Sequence, residues 1–186
     1  YSHFGLFSKR ERKSFQLLAL LLIVTSLCMT YTPTALAAYF SLVSDTISNS
    51  SPSASANHIV AWTSASAVTA GLTIKIQFDP DADLFNLSSV VAGDISGGGM
   101  TVVANVGACG AGGDEVYPTI DSTAPDESVT LTVCPTDSVG AGAKTVTIAN
   151  NHIVNPATPG SYGITIGGTQ ADQGATRVAI IANVVM

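Results

Sequence analysis

What most limits the folding of this chain is a two-residue hydrophobic period set between turn residues. It is clearest over residues 72–78. There Leu72, Ile74, Ile76 and Phe78 share one face of an extended strand, and Thr73, Lys75 and Gln77 share the other. A second stretch opens on Asn155-Pro156-Ala157-Thr158-Pro159-Gly160, places Tyr162, Ile164 and Ile166 on one face, and closes at Gly167. Side chains that alternate in this way segregate by polarity on a strand but scatter around a helix. Residues 38–43, 58–63, 100–106, 129–133, 144–148 and 177–185 follow the same recipe, which makes about eight strands. In the last of them, Val178-Ala179-Ile180-Ile181 predicts burial on both faces. No long helix is legible after residue 38, and the turns fall at sandwich-like spacing. The expected fold class is all-β: an immunoglobulin-like antiparallel β-sandwich, preceded by an N-terminal signal-peptide helix. A closed barrel shares the same periodicity.

The segments between strands carry further expectations. Residues 44–57, rich in Ser, Ala and Asn around Pro52, read as a loop or irregular edge connection. Residues 84–92 read as a helical turn capped by Asn86 or Ser88. Gly97-Gly98-Gly99 reads as a loop. Residues 107–127 read as a long, mostly irregular excursion with Val116-Tyr117 as a short pairing segment, and loops of that length are commonly functional. The tetrapeptide Asn-His-Ile-Val occurs at 57–60 and at 151–154, and Val-x-Ala-Gly at 68–71 and 139–142. The two pairs run in opposite order, so they reflect recurring turn and strand chemistry rather than tandem duplication.

Composition fixes the class of partner. The chain is 46% hydrophobic and only 11% charged, against about 25% charged in an ordinary globular protein. Four of its seven basic residues are Lys9, Arg10, Arg12 and Lys13. After residue 38 only Lys75, Lys144 and Arg177 remain against twelve acidic residues, a net charge of −9. Binding to nucleic acid or to an anionic membrane surface needs a basic patch, which this segment lacks.

Residues 1–37 read as a secretory signal peptide. Lys9-Arg10-Glu11-Arg12-Lys13 is a positive n-region, residues 15–27 are apolar apart from Gln16, Thr25 and Ser26, and Ala35-Leu36-Ala37 supplies a small-residue cleavage site. As a helix, residues 15–27 span about 20 Å, short of the ~30 Å hydrocarbon core. An uncleaved anchor extended through Met29 is the competing reading. A lipoprotein signal is disfavoured by Leu27 before Cys28, and a prepilin signal by the charge cluster between Gly5 and the apolar run. Residues 38–186 then form one β-sandwich domain. The chain lacks an initial Met and stops inside an apolar run, so it is expected to be part of a longer one.

Candidate sites are few. Cys109 and Cys134 are the cysteines that remain after cleavage. In an exported chain they are expected to form a disulfide worth about 3 kcal/mol by loop entropy, the alternative being two reduced, buried thiols. Asp79, Asp81 and Asp83 place carboxylates at alternate positions after a strand, a spacing that suits calcium. An EF-hand loop starting at Asp79 is absent, because Leu84 and Val90 stand where Gly and Glu are needed. A solvated acidic turn is the plainer reading. His58 and His152 each follow an Asn at a strand start without a Cys or His at ligand spacing, and read as strand-edge polar residues. Trp62 and Tyr117 are the candidate ligand contacts, although a lone Trp is more often a core anchor. No G-x-S-x-G elbow or phosphate-cradling loop occurs, and Glu115 and Glu127, the only glutamates after residue 38, fall in one segment. No enzyme activity and no cofactor other than calcium is expected.

Several segments together resemble a known kind of module. They are Asn57-His58, the Ala70-Gly71 turn before Leu72, Thr119-Ile120-Asp121-Ser122-Thr123-Ala124-Pro125, Asn155-Pro156 with Gly160-Ser161-Tyr162, and Gly174-Ala175-Thr176-Arg177-Val178-Ala179-Ile180-Ile181. The ensemble, over roughly residues 40–185, resembles an uncharacterised β-sandwich module of secreted surface proteins from uncultivated small-genome bacteria. The resemblance implies location and fold, and supplies no catalytic residue. The expected function is a non-enzymatic, exported structural or adhesive module at the bacterial cell surface, meeting other surface domains or extracellular ligands such as glycans. A carbohydrate-binding module is the alternative. The membrane enters only through the N-terminal segment.

Overall fold

The structure, a computed structural model, describes residues 39–80, 84–123 and 127–182. All of them belong to one compact unit. The signal-peptide helix and its cleavage site lie outside the described residues.

Twelve strands are present among the described residues: β1 (Ser41–Ile47), β2 (Ser55–Ser64), β3 (Val68–Thr69), β4 (Thr73–Phe78), β5 (Ile95–Gly98), β6 (Thr101–Val102), β7 (Glu115–Asp121), β8 (Ser128–Val133), β9 (Ser138–Val139), β10 (Gly142–Val154), β11 (Gly160–Gly167) and β12 (Gly174–Ile180). They form a four-stranded sheet in the order β1-β2-β10-β5, a six-stranded sheet in the order β12-β11-β4-β8-β7-β6, and the small pair β3-β9. Every pairing is antiparallel except β6 with β7. With β1, β2, β4, β5, β10, β11 and β12 taken in turn as strands A to G, the four-stranded sheet is A-B-E-D and the first half of the other is G-F-C. That is the immunoglobulin-like sandwich. The hairpin β7-β8, with β6 alongside, enters the sequence between strands D and E and widens the G-F-C sheet on its C side.

The two-residue period explains the core. Ile74, Ile76 and Phe78 of β4, Val129, Leu131 and Val133 of β8, and Ile164 and Ile166 of β11 are all at most 1% exposed. From the other sheet Val60 and Trp62 of β2 and Val146 and Ile148 of β10 face them. The loop of residues 84–90 adds Phe85 and Leu87. His58, Phe78, Phe85 and Tyr162 form a chain of edge-to-face contacts at 5.3–5.9 Å.

The stretch at Asn155 works as a clamp. Its side-chain amide donates to the carbonyls of Asn49 and Ser51, and Ser53 N–H donates to Pro156 O. Tyr162 faces inward at the start of β11, and its hydroxyl donates back to Thr158 O. That is a tyrosine corner, which pins the turn between the two sheets.

Several boundaries differ from expectation. Residues 44–57 are not simply a loop, since β1 runs to Ile47 and β2 begins at Ser55. Ser44 and Thr46 lie on the outward face and the inward Asp45 is itself polar, so the period was masked rather than absent. The helix at 84–92 does not form. Asn86 Oδ1 instead accepts from Ser88 N–H in a local turn, and its backbone pairs with Val154. Gly97 and Gly98 belong to β5, whereas 100–106 keeps only the two residues of β6. Gly99 makes the bend: its φ is +74°, and a Cβ there would lie 2.4 Å from Ala143 O. β12 is buried on one face only, with Val178 and Ile180 inside and Ile181 59% exposed. It is an edge strand with solvent on its outer side.

Candidate functional site

Residues 107–123 hold more regular structure than their composition suggests. Glu115–Asp121 is a full strand that pairs with β8 from Val116↔Val133 to Asp121↔Ser128. Pro118 is tolerated because β6 flanks β7 only at Glu115 and Val116, which leaves an open edge beside the proline. Cys109 and Cys134 are joined, with Sγ–Sγ 1.98 Å and Cα–Cα 5.9 Å, and tie the loop before β7 to the end of β8. Around the bridge, Glu115 accepts from Gly110 N–H, and Asp137 Oδ2 accepts from Glu115 N–H at 3.0 Å. Glu115, Cys134 and Asp137 bring potential metal donors within 4.8 Å of one another. The cysteine sulfur is spent in the disulfide, however, and both carboxylates already serve backbone donors. The cluster therefore reads as loop anchoring.

The two Asn-His-Ile-Val copies meet across β2 and β10. Asn151 N–H donates to Asn57 Oδ1 at 2.6 Å, at a bulge where Asn150 and Asn151 adopt φ of 64° and 55°. Each histidine takes an aspartate partner. His58 Nδ1 lies 2.8 Å from Asp45 Oδ2, and both side chains are fully buried. His152 Nδ1 lies 2.7 Å from Asp94 Oδ2 and is 38% exposed. Burial pushes the Asp94 carboxyl up, but hydrogen bonds from Asn150, Val91 N–H and His152, with the charge of His152, outweigh it and hold the group below its ordinary value. His58 is thus a core residue rather than a strand-edge one. The two imidazoles are held by separate carboxylates and share no site.

Lys144 points inward from β10 and is 5% exposed. Its ammonium lies 3.4–3.5 Å from the carbonyls of Ala141, Gly142 and Ala143. Burial lowers its pKa against the pull of Asp114.

Trp62 and Tyr117 are not brought together. Trp62 is 2% exposed and packs on Phe40 at 5.9 Å, so its ring belongs to the core and its expected role as a ligand contact is corrected. Tyr117 is half-buried on the outer face of β7, in register with Thr132 of β8. Of the expected calcium set, Asp79 is 6% exposed, with its N–H bonded to Gly163 O at 2.7 Å. Asp81 and Asp83 lie outside the described residues.

A concavity lies elsewhere among the described residues, on the outer face of the six-stranded sheet. It is a groove of about 350 Å³ over β4, β11 and the start of β12. Gln77, Thr165 and Ala175 form one row across its floor, and Lys75 and Gly167 form the next. Small side chains at Thr165, Gly167 and Ala175 leave the depression. Tyr39, 75% exposed and bridged to Gln173, stands at one end. The β11-β12 hairpin that makes its rim is well anchored. Thr73 and Thr169 exchange hydrogen bonds at 2.9–3.1 Å, and buried Asp172 accepts from Ser66 N–H. Gly168 has φ +118°, and a Cβ there would lie 2.3 Å from Thr73 O. Sequence reasoning missed this groove. Its available signal was Lys75, a lone cation on the polar face of the most regular strand, with small residues on a later strand.

No protein-family model and no curated protein matches the chain. Among solved structures, the chain is similar to BslA, a bacterial hydrophobin, at 10% identity and a TM-score of 0.45, covering 76% of this chain and 97% of that one. It is also similar to the collagen-binding domain of a Staphylococcus aureus adhesin, at 10% identity and a TM-score of 0.40, covering 74% of this chain and 96% of that one.

Proposed function

We propose that this chain is a non-enzymatic, exported structural or adhesive module of a bacterial cell-surface protein. The observation that carries the reading is the path of its first and last strands. Phe40 N–H donates to Gln173 O beside the start of β12, and Ile181 N–H donates to Ser50 O beyond the end of β1. β1 and β12 therefore run side by side in the same direction. The chain enters the sandwich at one pole and leaves at the other, about 23 Å away for a seven-residue strand. A module built this way sits in line with its neighbours and passes tension along its length. The Cys109–Cys134 bridge suits an oxidising compartment, and the order of charge, apolar core and small residues in 1–37 suits export.

The test is expression of the full chain in a bacterial host. The chain is expected to be labelled by a membrane-impermeant amine reagent on intact cells, with Cys109 and Cys134 protected from alkylation until reduced. Retention in the cytosol with Cys109 and Cys134 both freely alkylated would sink the reading.

A further inference from the structure

The groove beside Tyr39 differs in charge from the rest of the domain. Twelve of the fifteen charged residues after position 38 are acidic, yet among the described residues no carboxylate lines the groove and Lys75 is its one charged group. Lys75 makes no ion pair among the described residues. We infer that this groove binds an acidic saccharide, a run of pyranose rings bearing carboxylates. The inference rests on the surface-adhesion reading and names its ligand.

Each part of a hexuronate has a counterpart here. Tyr39 offers an exposed aromatic plate for the apolar face of a pyranose ring. Lys75 supplies a compact positive charge for the carboxylate. Gln77, Thr165 and Gln173 bring amide and hydroxyl groups, which both donate and accept, to the same groove. The volume falls within the usual range for small-ligand sites, about 300–1,000 Å³. An acidic peptide fits less well, because peptides that join sheets do so at an edge through main-chain bonds. The groove lies over a face where the backbone groups of β4 and β11 are already paired. A second copy of this chain would bring further net negative charge toward a groove whose one cation cannot balance it. Because the hairpin rim is fixed by Thr73–Thr169 and Ser66–Asp172, binding would order little.

The experiment is calorimetric titration of the full chain with tetragalacturonate and, separately, with neutral cellotetraose. A Kd on the order of 0.1 mM is expected for the acidic oligomer, at least about tenfold tighter than for the neutral one, and weakening as salt is added. Tyr39→Ala and the groove-filling Ala175→Trp are each expected to weaken binding by about tenfold or more, and Lys75→Gln to abolish the preference for the acidic oligomer. Both Tyr39 and Ala175 are exposed, so the fold tolerates these changes, and far-ultraviolet circular dichroism of each variant checks this. Thr147→Ala on the other sheet is expected to leave the affinity unchanged. No binding up to about 5 mM, equal binding of the neutral oligomer, indifference to all three groove variants, binding of polyglutamate alone, or dimerisation blocked by Ala175→Trp would each overturn the proposal. Any of these leaves the export and surface labelling test standing, so the two readings fail separately.

Discussion

The two outward faces of the sandwich share one core and present different chemistry. On the four-stranded sheet the outward rows are Thr46-Ile59-Thr147-Ser96 and Ser44-Ala61-Thr145-Gly98, with no charged side chain. On the six-stranded sheet the outward rows hold Lys75 and Arg177, the two basic residues after position 38 that are not buried, together with the groove. Arg177 is occupied, since its guanidinium donates to the hydroxyl and carbonyl oxygens of Ser161. Lys75 makes no ion pair among the described residues. Burial accounts for both inner faces alike, and the two outward faces part where Lys75 and the groove depart from small neutral residues.

The largest effect is expected in the shared core. Trp62→Ala should cost about 3–5 kcal/mol, read as a fall in the urea midpoint, because a buried indole leaves a cavity behind. If the stability loss stays under about 1 kcal/mol, Trp62 is not the core residue described here. Next comes the insertion that distinguishes the six-stranded sheet. Replacing both Cys109 and Cys134 by Ser should cost about 3 kcal/mol and shift the thermal midpoint, with residues 107–114 gaining the most hydrogen exchange. Uniform gain across both sheets would show that the bridge supports the whole fold rather than this hairpin.

The two Asp–His pairs sharpen the comparison on the four-stranded side. Asp94→Asn should cost about 1–2 kcal/mol at neutral pH, since Asp94 accepts from Val91 N–H, Asn150 and His152. The Asp94 pKa is depressed below its ordinary 3.8 in the fold. Its contribution is therefore complete above that value and is lost as pH falls through the folded pKa. Chemical denaturation across acidic pH should show the difference between wild type and variant shrinking below about pH 4. A gap that widens there has the wrong sign. Smaller still is Tyr162→Phe, which removes only the hydroxyl bond to Thr158 and should cost about 1 kcal/mol. The smallest effect is expected from Thr147→Lys on the uncharged face, within about 0.5 kcal/mol, because that position points to solvent.

How far the sequence was legible follows from what each signal depends on. Residues 72–78 and 160–167 were readable because one face is fully buried and the alternation is clean. The second half of β1 was not, because Ser44 and Thr46 point to solvent and Asp45 turns inward only to meet His58. That partner lies thirteen residues away and on another strand. The disulfide was readable from cysteine count and expected export. The inward placement of Tyr162 was readable from the alternation that follows the Pro and Gly turn, whereas its corner bond to Thr158 O was not. The groove was not, since it depends on which small residues of β11 and β12 fall in register with Lys75 and Gln77, and register is a tertiary property. The same limit hid the meeting of the two Asn-His-Ile-Val copies, which the linear order showed only as a repeat.

The claim that the six-stranded sheet carries the functional face is tested most directly by amide shift mapping. The full chain, labelled with nitrogen-15, would be titrated with tetragalacturonate and followed residue by residue. The account requires shifts concentrated at Tyr39, Lys75, Gln77, Thr165, Gly167 and Ala175, with Ile59, Thr145 and Thr147 on the opposite sheet unmoved. Shifts centred on the four-stranded face, or no shifts at all, would contradict it.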